Sequence, residues 1–346
     1  MRYVIRRLAS GVLMLLALTF VTYAVFFLIP WDPGHILAGP NATKAQLAAA
    51  DHKLGVDRPI YAQYGSFLWR LVHGDLGHSF LGVSINDTIA SAGPVTGLLV
   101  LGGGVVLLLL AVPLALLSAL RARTLVDRAV LTFSILGIAL HPFVVGVVLK
   151  QIFGIELHLL PAGEYCPLHH VPPPSAYELE QVRLGRMLPT PCHHGPWLLA
   201  WFEHMLLPWL TFALFFLPFY VRIIRSRLID TLGEPHVLTA RAKGASELRI
   251  LTRHVLRATL ATVLAMLAID LGTSITAAIY VEATFRLPGL GVTALSALAT
   301  SPSEQGYDLP IVVGIVFVIA CAVVVLNVLA DVGAALLDPR TRLLGS

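Results

Sequence analysis

Six long apolar runs dominate this 346-residue chain and constrain its fold more than any single motif does. Each run has about 20 residues or more, enough to cross the roughly 30 Å hydrocarbon core of a bilayer as a helix. The chain is 57% hydrophobic and only 13% charged, a charged fraction well below that of soluble domains. We therefore predict an all-α polytopic membrane protein. The six predicted spans lie near residues 8–29, 95–120, 129–153, 205–228, 259–281 and 309–336.

Basic residues concentrate in alternate connecting segments, and this bias predicts the orientation. Most Lys and Arg residues lie before the first span, after the second and fourth spans, and in the C-terminal tail. The positive-inside rule then places these segments, and both termini, in the cytoplasm. The first apolar run is too long for a signal-peptide core and lacks a small-residue cleavage site, so we expect it to be an uncleaved span. The net charge of +4 reflects these loops, and no tract is typical of a nucleic-acid-binding module.

The spans predict a division of the chain into four parts. These are an N-terminal span 1–29, an extracytoplasmic cap 30–94, a membrane core of five further spans 95–336 and a cytoplasmic tail 337–346. Within the core we expect an extracytoplasmic insert 155–204 and a cytoplasmic loop 229–257. The cap alternates turn signals with short amphipathic stretches, which is typical of a small folded unit.

The cytoplasmic loop contains a polar stretch, Glu234–Arg257, between two apolar runs. Because Arg and Lys cost a few kcal/mol each at the bilayer centre, this stretch must lie outside the hydrocarbon. Leu238–Lys243 contains good helix formers, and Gly244 offers a stop. Ser246 can cap a new helix beginning at Glu247. The stretch therefore predicts a short helix, a turn and the start of the next membrane helix.

The same stretch carries a family resemblance. Thr239–Gly244, together with Ser246, Glu247 and the basic segment Arg253–Arg257, resembles the cytoplasmic loop of bacterial binding-protein-dependent ABC importer permeases. The likeness is to the B-type subunit of the dipeptide, oligopeptide and nickel group, and further segments fit that subunit in chain order. They are Leu54–Pro59, Gly74–Ser79, Leu160–Gly163, Glu282–Gly291 and Leu337–Arg340.

The sequence departs from the family pattern at three places. Leu238, Thr239 and Ala240 occupy positions where the family often has Glu-Ala-Ala, with Gly244 in register. Thr262 stands where a proline is usual. The insert at 164–196, which bears Cys and His, is not expected in the family.

The resemblance implies a type I ABC importer permease-like fold in the bacterial inner membrane, forming half of a translocation pore for di- or oligopeptides. It implies four kinds of partner: a second homologous permease, two ATP-binding cassette subunits, an extracytoplasmic substrate-binding protein and the peptide itself. Loop residues are expected to contact an ATPase subunit. They are Leu238, Thr239, Ala240, Arg241, Ala242, Lys243, Gly244, Ser246, Glu247 and Leu248. Arg241 and Lys243 are expected to meet acidic groups on it.

The sequence contains no Gly-x-x-x-x-Gly-Lys-Ser/Thr motif. Gly102–Gly104 lies inside a predicted span with no lysine following, so we expect it to pack helices rather than cradle phosphate. The chain is therefore not expected to be an enzyme or to hold a cofactor, and ATP and Mg are expected on the partner subunits.

Three polar residues are candidates for the translocation path or its gate. Asp270 lies midway along the fifth predicted span, where a carboxylate usually faces a cavity or a partner, and a structural hydrogen-bonded role is the alternative. His141, before Pro142, is a weaker candidate, because a lone histidine is more often a packed residue. Glu282 is expected at the outer end of span five, where its charge costs little.

Two cysteine–histidine clusters lie in the outside insert. They comprise Cys166, His169, His170, Cys192, His193 and His194. An oxidising compartment favours a disulfide between the two cysteines, and a zinc site is the alternative. Cys321, in an apolar run, is expected to be a plain buried residue.

Other functions remain open at this point. The substrate could be nickel or another small solute, since much of the specificity belongs to the binding protein. A secondary transporter would need inverted repeats and more membrane carboxylates, and neither is seen. A non-transporting membrane assembly factor would need no substrate path at all.

Overall fold

A computed structural model of the chain describes residues 2–28, 38–39, 41–55, 57–79, 82–167, 197–299 and 308–337. Within these ranges the regular structure is helical, apart from one isolated bridge between His78 and Ser84. The helices are α1 (Arg2–Leu28), α2 (Lys44–Leu54), α3 (Ile60–Val72), α4 (Ile85–Leu120), α5 (Leu125–Ile138), α6 (Pro142–Leu149), α7 (Trp197–Leu232), α8 (Pro235–Ala242), α9 (Glu247–Ile250), α10 (Leu256–Phe285), α11 (Leu290–Ala299) and α12 (Leu309–Leu337). One π-helical segment extends each of two helices: Lys150–Glu156 follows α6, and Leu251–Val255 follows α9.

The helices confirm the prediction of an all-α membrane protein. Among the described residues, three helical stretches are long and apolar enough to cross a bilayer, namely α4, the Leu198–Leu232 part of α7 and the Leu309–Asn327 part of α12. A fourth candidate span consists of α5 and α6 with a sharp bend between them. In α1 and α10 the apolar stretches with described side chains are Gly11–Ala24 and Ser274–Phe285. The count of six spans stays a prediction.

The third predicted span is not one continuous helix. We expected it over 129–153, but the chain bends by 107° between Ile138 and Pro142. Proline disfavours helical geometry in the residue before it, and His141 has extended backbone angles, φ −79° and ψ 144°. The Phe143 N–H donates to His141 Nδ1 at 3.3 Å, so this histidine caps the new helix.

The fourth predicted span is longer than expected. Helix α7 starts at Trp197, inside the predicted insert 155–204, and continues through both Pro208 and Pro218 to Leu232. Prolines are tolerated in membrane helices where neighbouring groups satisfy the freed carbonyls. Its C-terminal end lies beyond residue 228, so the helix carries the chain directly to the polar loop.

The chain divides into two compact units. The first contains 1–96, 264–275 and 289–346, and in it α1 packs on α12 where Gly11 meets Val324. The second contains 97–263 and 276–288. Helices α4 and α10 each contribute residues to both units.

Glycines in α4 allow α7 to approach closely in the second unit. A methyl group added at Gly102 would overlap the indole of Trp209, and one added at Gly103 would overlap the ring of Phe212. The Trp209 Nε1–H donates to the Leu98 carbonyl at 3.0 Å, which fixes the indole over Gly102. These contacts confirm that the glycine run packs helices.

We expect Gly102→Ala to lower stability by about 1–3 kcal/mol, because the added methyl overpacks the Trp209 contact. Gly97→Ala is the matched control in the same helix, since a methyl there meets no atom within 4 Å. Thermal unfolding of the detergent-solubilised protein measures both variants. Equal melting temperatures for the two would contradict the packing role of Gly102.

Candidate functional site

The polar loop forms a helical hairpin, defined as residues 235–250. Pro235 occupies the first helical position of α8, where its fixed φ is favourable. The chain reverses after Lys243 at Gly244, whose φ of +78° suits glycine. Helix α9 then begins after Ser246. The predicted order of helix, turn and helix is confirmed, although α8 starts earlier than expected and the Ser246 side chain makes no capping hydrogen bond.

A bidentate ion pair joins the two arms of the hairpin. Arg241 Nε donates to Glu247 Oε1 at 2.7 Å, and Arg241 Nη2 donates to Glu247 Oε2 at 2.9 Å. These hydrogen bonds, and secondarily the guanidinium charge, lower the pKa of the Glu247 carboxyl below its ordinary value. The pair is therefore present at neutral pH and is lost as the pH falls through that lowered pKa. Within the chain Arg241 pairs with Glu247, and the expected contact of Arg241 with an acidic group on a partner stays a prediction.

The hairpin has a buried side and an exposed side. Val237 and Ile250 are fully buried and anchor its two arms. Leu238 is 51% exposed and Leu248 is 71% exposed, although both are large apolar residues. Lys243 is exposed between them in the sequence. The hairpin thus exposes apolar and basic side chains on one side, while Val237 and Ile250 anchor its backbone on the other.

A buried ion pair lies about two helical turns before the end of α7. Arg225 Nε donates to Asp127 Oδ1 at 2.6 Å, and Arg225 Nη2 donates to Asp127 Oδ2 at 2.7 Å. The Ser118 hydroxyl donates to Oδ1 at 2.6 Å, and the Arg123 N–H donates to Oδ2 at 2.8 Å. Only 4% of the Asp127 side chain is exposed. This junction ties together α4, α5 and α7.

Sequence reasoning missed the Asp127–Arg225 junction. Arg225 counted only as one of several basic residues that set the orientation, and Asp127 was not singled out. The available signal was an acidic residue next to the predicted start of an apolar helix, in a loop otherwise rich in arginine.

At the opposite end of α10 the structure brings two segments of the family resemblance together. The Glu164 N–H, next to the Leu160–Gly163 segment, donates to the Phe285 carbonyl at 2.9 Å. Lys150 Nζ donates to the Thr284 carbonyl, also at 2.9 Å. Lys150 was missed in the sequence, where it stands out only as a lysine near the end of an apolar run. Together these contacts pin the chain after α6 to the last turn of α10.

The three candidate path residues have different surroundings. Glu282 is completely buried, so the expectation that it lies where its charge costs little is wrong. Asp270 is half-buried, and its carbonyl accepts a hydrogen bond from the Ser274 hydroxyl at 2.7 Å. The His141 ring packs edge-on against Tyr280, with centroids 4.4 Å apart. A role of these residues in a translocation path stays a prediction.

Cys166 is buried and disulfide-bonded, whereas Cys321 is free and half-buried. The predicted partner, Cys192, lies outside the described residues. So do the histidines of the alternative metal site, His169, His170, His193 and His194. The specific pairing therefore stays a prediction.

Comparison with known proteins identifies the family. The model of the binding-protein-dependent transport system inner membrane component matches residues 111–343. The chain belongs to this family. The model of the N-terminal part of such membrane components matches residues 1–85, so the two matches together cover most of the chain.

Similar proteins extend over almost the whole length of this permease. A protein of Brucella suis named as a peptide permease is 30% identical over 346 residues, with 99% of each chain covered. The di/tripeptide transport system permease protein DppB of Pseudomonas aeruginosa is 29% identical, with 98% of each chain covered. The chain is therefore a multi-pass permease subunit of an ABC importer, and it works with other transporter subunits and a substrate-binding protein.

We expect Arg241→Glu to impair transport, because it replaces the ion pair of the hairpin with two adjacent like charges. The double swap Arg241→Glu with Glu247→Arg restores the pair and is expected to restore activity. ATP-dependent uptake in reconstituted vesicles measures both. If Arg241 instead served an acidic partner, the double swap would remain as inactive as the single variant.

Asp127→Asn is expected to destabilise the permease by about 3–5 kcal/mol, because it leaves a buried guanidinium without its charge partner. The double variant Asp127→Asn with Arg225→Met removes both charges and is expected to recover much of the loss. Arg227→Met, at an exposed position on the same helix, is the control. Thermal unfolding of the wild type, the single variants Asp127→Asn and Arg225→Met and their double variant completes the cycle, and additive losses would contradict the pairing.

Proposed function

We propose that this permease forms half of a translocation pore for di- or oligopeptides, the other half coming from a second homologous permease. The peptide assignment rests on relatives that cover nearly the whole chain and are named as peptide permeases, one of them as a di/tripeptide system. A binding protein outside the membrane would deliver the peptide. Both termini would be cytoplasmic, as the distribution of basic residues predicts.

The hairpin at 235–250 is the proposed attachment point of an ATPase subunit. The observation that carries this proposal is the exposure of Leu238 and Leu248 on a hairpin whose backbone is anchored by Val237 and Ile250. Burying such a leucine against a partner is worth about 1.5–3 kcal/mol. Lys243, exposed at the turn, could add attraction to an acidic rim. ATP and Mg would bind to the partner, because the chain has no nucleotide motif of its own.

The proposed mechanism transmits a movement of the ATPase to the membrane helices. When ATP brings two ATPase subunits together, each docked hairpin moves as a rigid body, because Val237 and Ile250 anchor its arms and Arg241 pairs with Glu247 between them. Helix α7 joins the hairpin directly, and the Asp127–Arg225 junction passes its displacement to α4 and α5. ATP binding would favour an outward-open pore and hydrolysis an inward-open one, as a population shift.

The double variant Leu238→Asp with Leu248→Asp tests the attachment. We expect it to lose ATPase subunits on gentle detergent co-purification by about tenfold or more, because two apolar contacts are replaced by charges. Leu125→Asp is the matched control, since Leu125 is 79% exposed and lies outside the hairpin. Retention of the ATPase by the hairpin variant at the level of the control would overturn the attachment site.

Uptake measurements test the substrate. Cells with and without this permease are given labelled dipeptides, longer peptides and nickel in parallel. We expect loss of the permease to abolish uptake of one peptide class and to leave nickel uptake unchanged. Loss of nickel uptake alone would refute the peptide assignment while leaving the role of the hairpin intact.

A further inference from the structure

Helix α3 presents three different surfaces around its circumference. Tyr64, Phe67 and Leu71 form an inner face that packs in the hydrophobic cluster with Leu309 and Val313 of α12. Gln63, Ser66 and Arg70 lie on a polar face. Between these two faces runs an exposed apolar strip, which consists of Tyr61, Trp69 and Val72.

The exposure of this strip is large. Tyr61 is 75% exposed, Trp69 is 70% exposed and Val72 is 82% exposed. At 3.6 residues per turn, positions 61, 69 and 72 fall on one side of the helix, next to the packed inner face. A helix surrounded by water would carry polar side chains there. The order of packed, apolar and polar faces is typical of a helix that lies in a membrane–water interface.

Contacts of α3 with α1 place it at the level of the bilayer. The Tyr64 hydroxyl donates to the Leu16 carbonyl at 3.0 Å and lies 3.0 Å from the Thr19 hydroxyl oxygen. Leu16 lies roughly 18 Å along the helix axis before Leu28, the end of α1. Since α1 is a predicted span, a side chain of α3 that reaches Leu16 must enter the membrane region.

The exposed strip continues an apolar surface of α1. Phe20 is 48% exposed, and its ring packs edge-on against Tyr64 with centroids 5.5 Å apart. Leu13 and Val21 on α1 are 69% and 55% exposed. In a membrane such apolar side chains face lipid or a neighbouring subunit, and the strip on α3 continues this surface of α1.

We propose that α3 is an interfacial helix whose strip of Tyr61, Trp69 and Val72 is covered by lipid of the extracytoplasmic leaflet. The assignment of α3 to the extracytoplasmic leaflet rests on the membrane orientation given under the proposed function. Trp and Tyr favour the headgroup level, where the ring is buried and its polar atom is hydrated. The helix thereby fixes the outer ends of α1 and α12 to the membrane plane.

Fluorescence quenching in nanodiscs tests this proposal on the assembled transporter. The free thiol is removed by Cys321→Ala, and a bimane label is attached in separate variants at Trp69→Cys, Val72→Cys and the polar-face control Ser66→Cys. One quencher is a lipid with a nitroxide near its headgroup, and the other is aqueous iodide. Two positions on the strip keep the test valid if one variant does not fold.

We expect the lipid nitroxide to quench the labels at 69 and 72 at least about twofold more than the label at 66, because the apolar face of such a helix is buried roughly 5–10 Å in the interface. For iodide we expect the opposite order. Iodide quenching at 69 and 72 equal to that at 66 would show that water covers the strip and would overturn the proposal. Labels at 69 and 72 shielded from both quenchers would show that a partner subunit covers it, which also overturns the proposal. The readout requires no transport, so it is independent of the peptide assignment.

Discussion

The ion pair between Asp127 and Arg225 is the interaction on which the rest of the second compact unit depends. A lone charge at the end of a membrane helix is costly to bury, so each partner is tolerable only with the other in place. The carboxylate also accepts hydrogen bonds from the Ser118 hydroxyl and the Arg123 N–H, which satisfy both of its oxygens. The pair therefore fixes α4, α5 and α7 in one register where α7 leaves for the hairpin.

Rigidity is the property that the hairpin and this junction share. Arg241 and Glu247 close the hairpin on its exposed side, while Val237 and Ile250 hold it from behind. Within the membrane, close packing of Gly102 and Gly103 against Trp209 and Phe212 leaves α4 and α7 little freedom to slide. An element that is to carry force from an ATPase to a pore must keep its shape under load. The contacts found here meet that requirement from the hairpin through α7 to its neighbours.

Much of the fold follows from the sequence, because membrane helices obey simple rules. Backbone N–H and C=O groups in lipid must form their hydrogen bonds within a helix, so a membrane helix extends at least as far as its apolar run. The apolar run alone therefore predicted the ends of α12 closely. Gly244 and Ser246 predicted the hairpin because turns and helix starts depend on local residue chemistry. The bend at Pro142 was not predicted, because a proline in a membrane helix does not by itself require a break. Pro208 and Pro218, which lie inside α7, show this.

Pairings between distant residues were the least predictable part of the site. Asp127 and Arg225 are separated by 98 positions, and no local pattern relates them. The family resemblance implied that Arg241 meets an acidic group on a partner, and the pairing of Arg241 with Glu247 in the same loop was not predicted. Glu282 was expected near water because it lies at a helix end. Its burial depends on tertiary packing, which the local sequence does not show.

Photo-crosslinking from position 238 tests the central claim most directly. A photoreactive amino acid replaces Leu238 in the complete transporter in native membranes, and a second protein carries it at Leu125 as a control. The account predicts a crosslink from 238 to an ATP-binding subunit and none from 125. Crosslinks from 238 to lipid alone, or equal crosslinks to the ATPase from both positions, would contradict the claim that this hairpin is where the ATPase attaches.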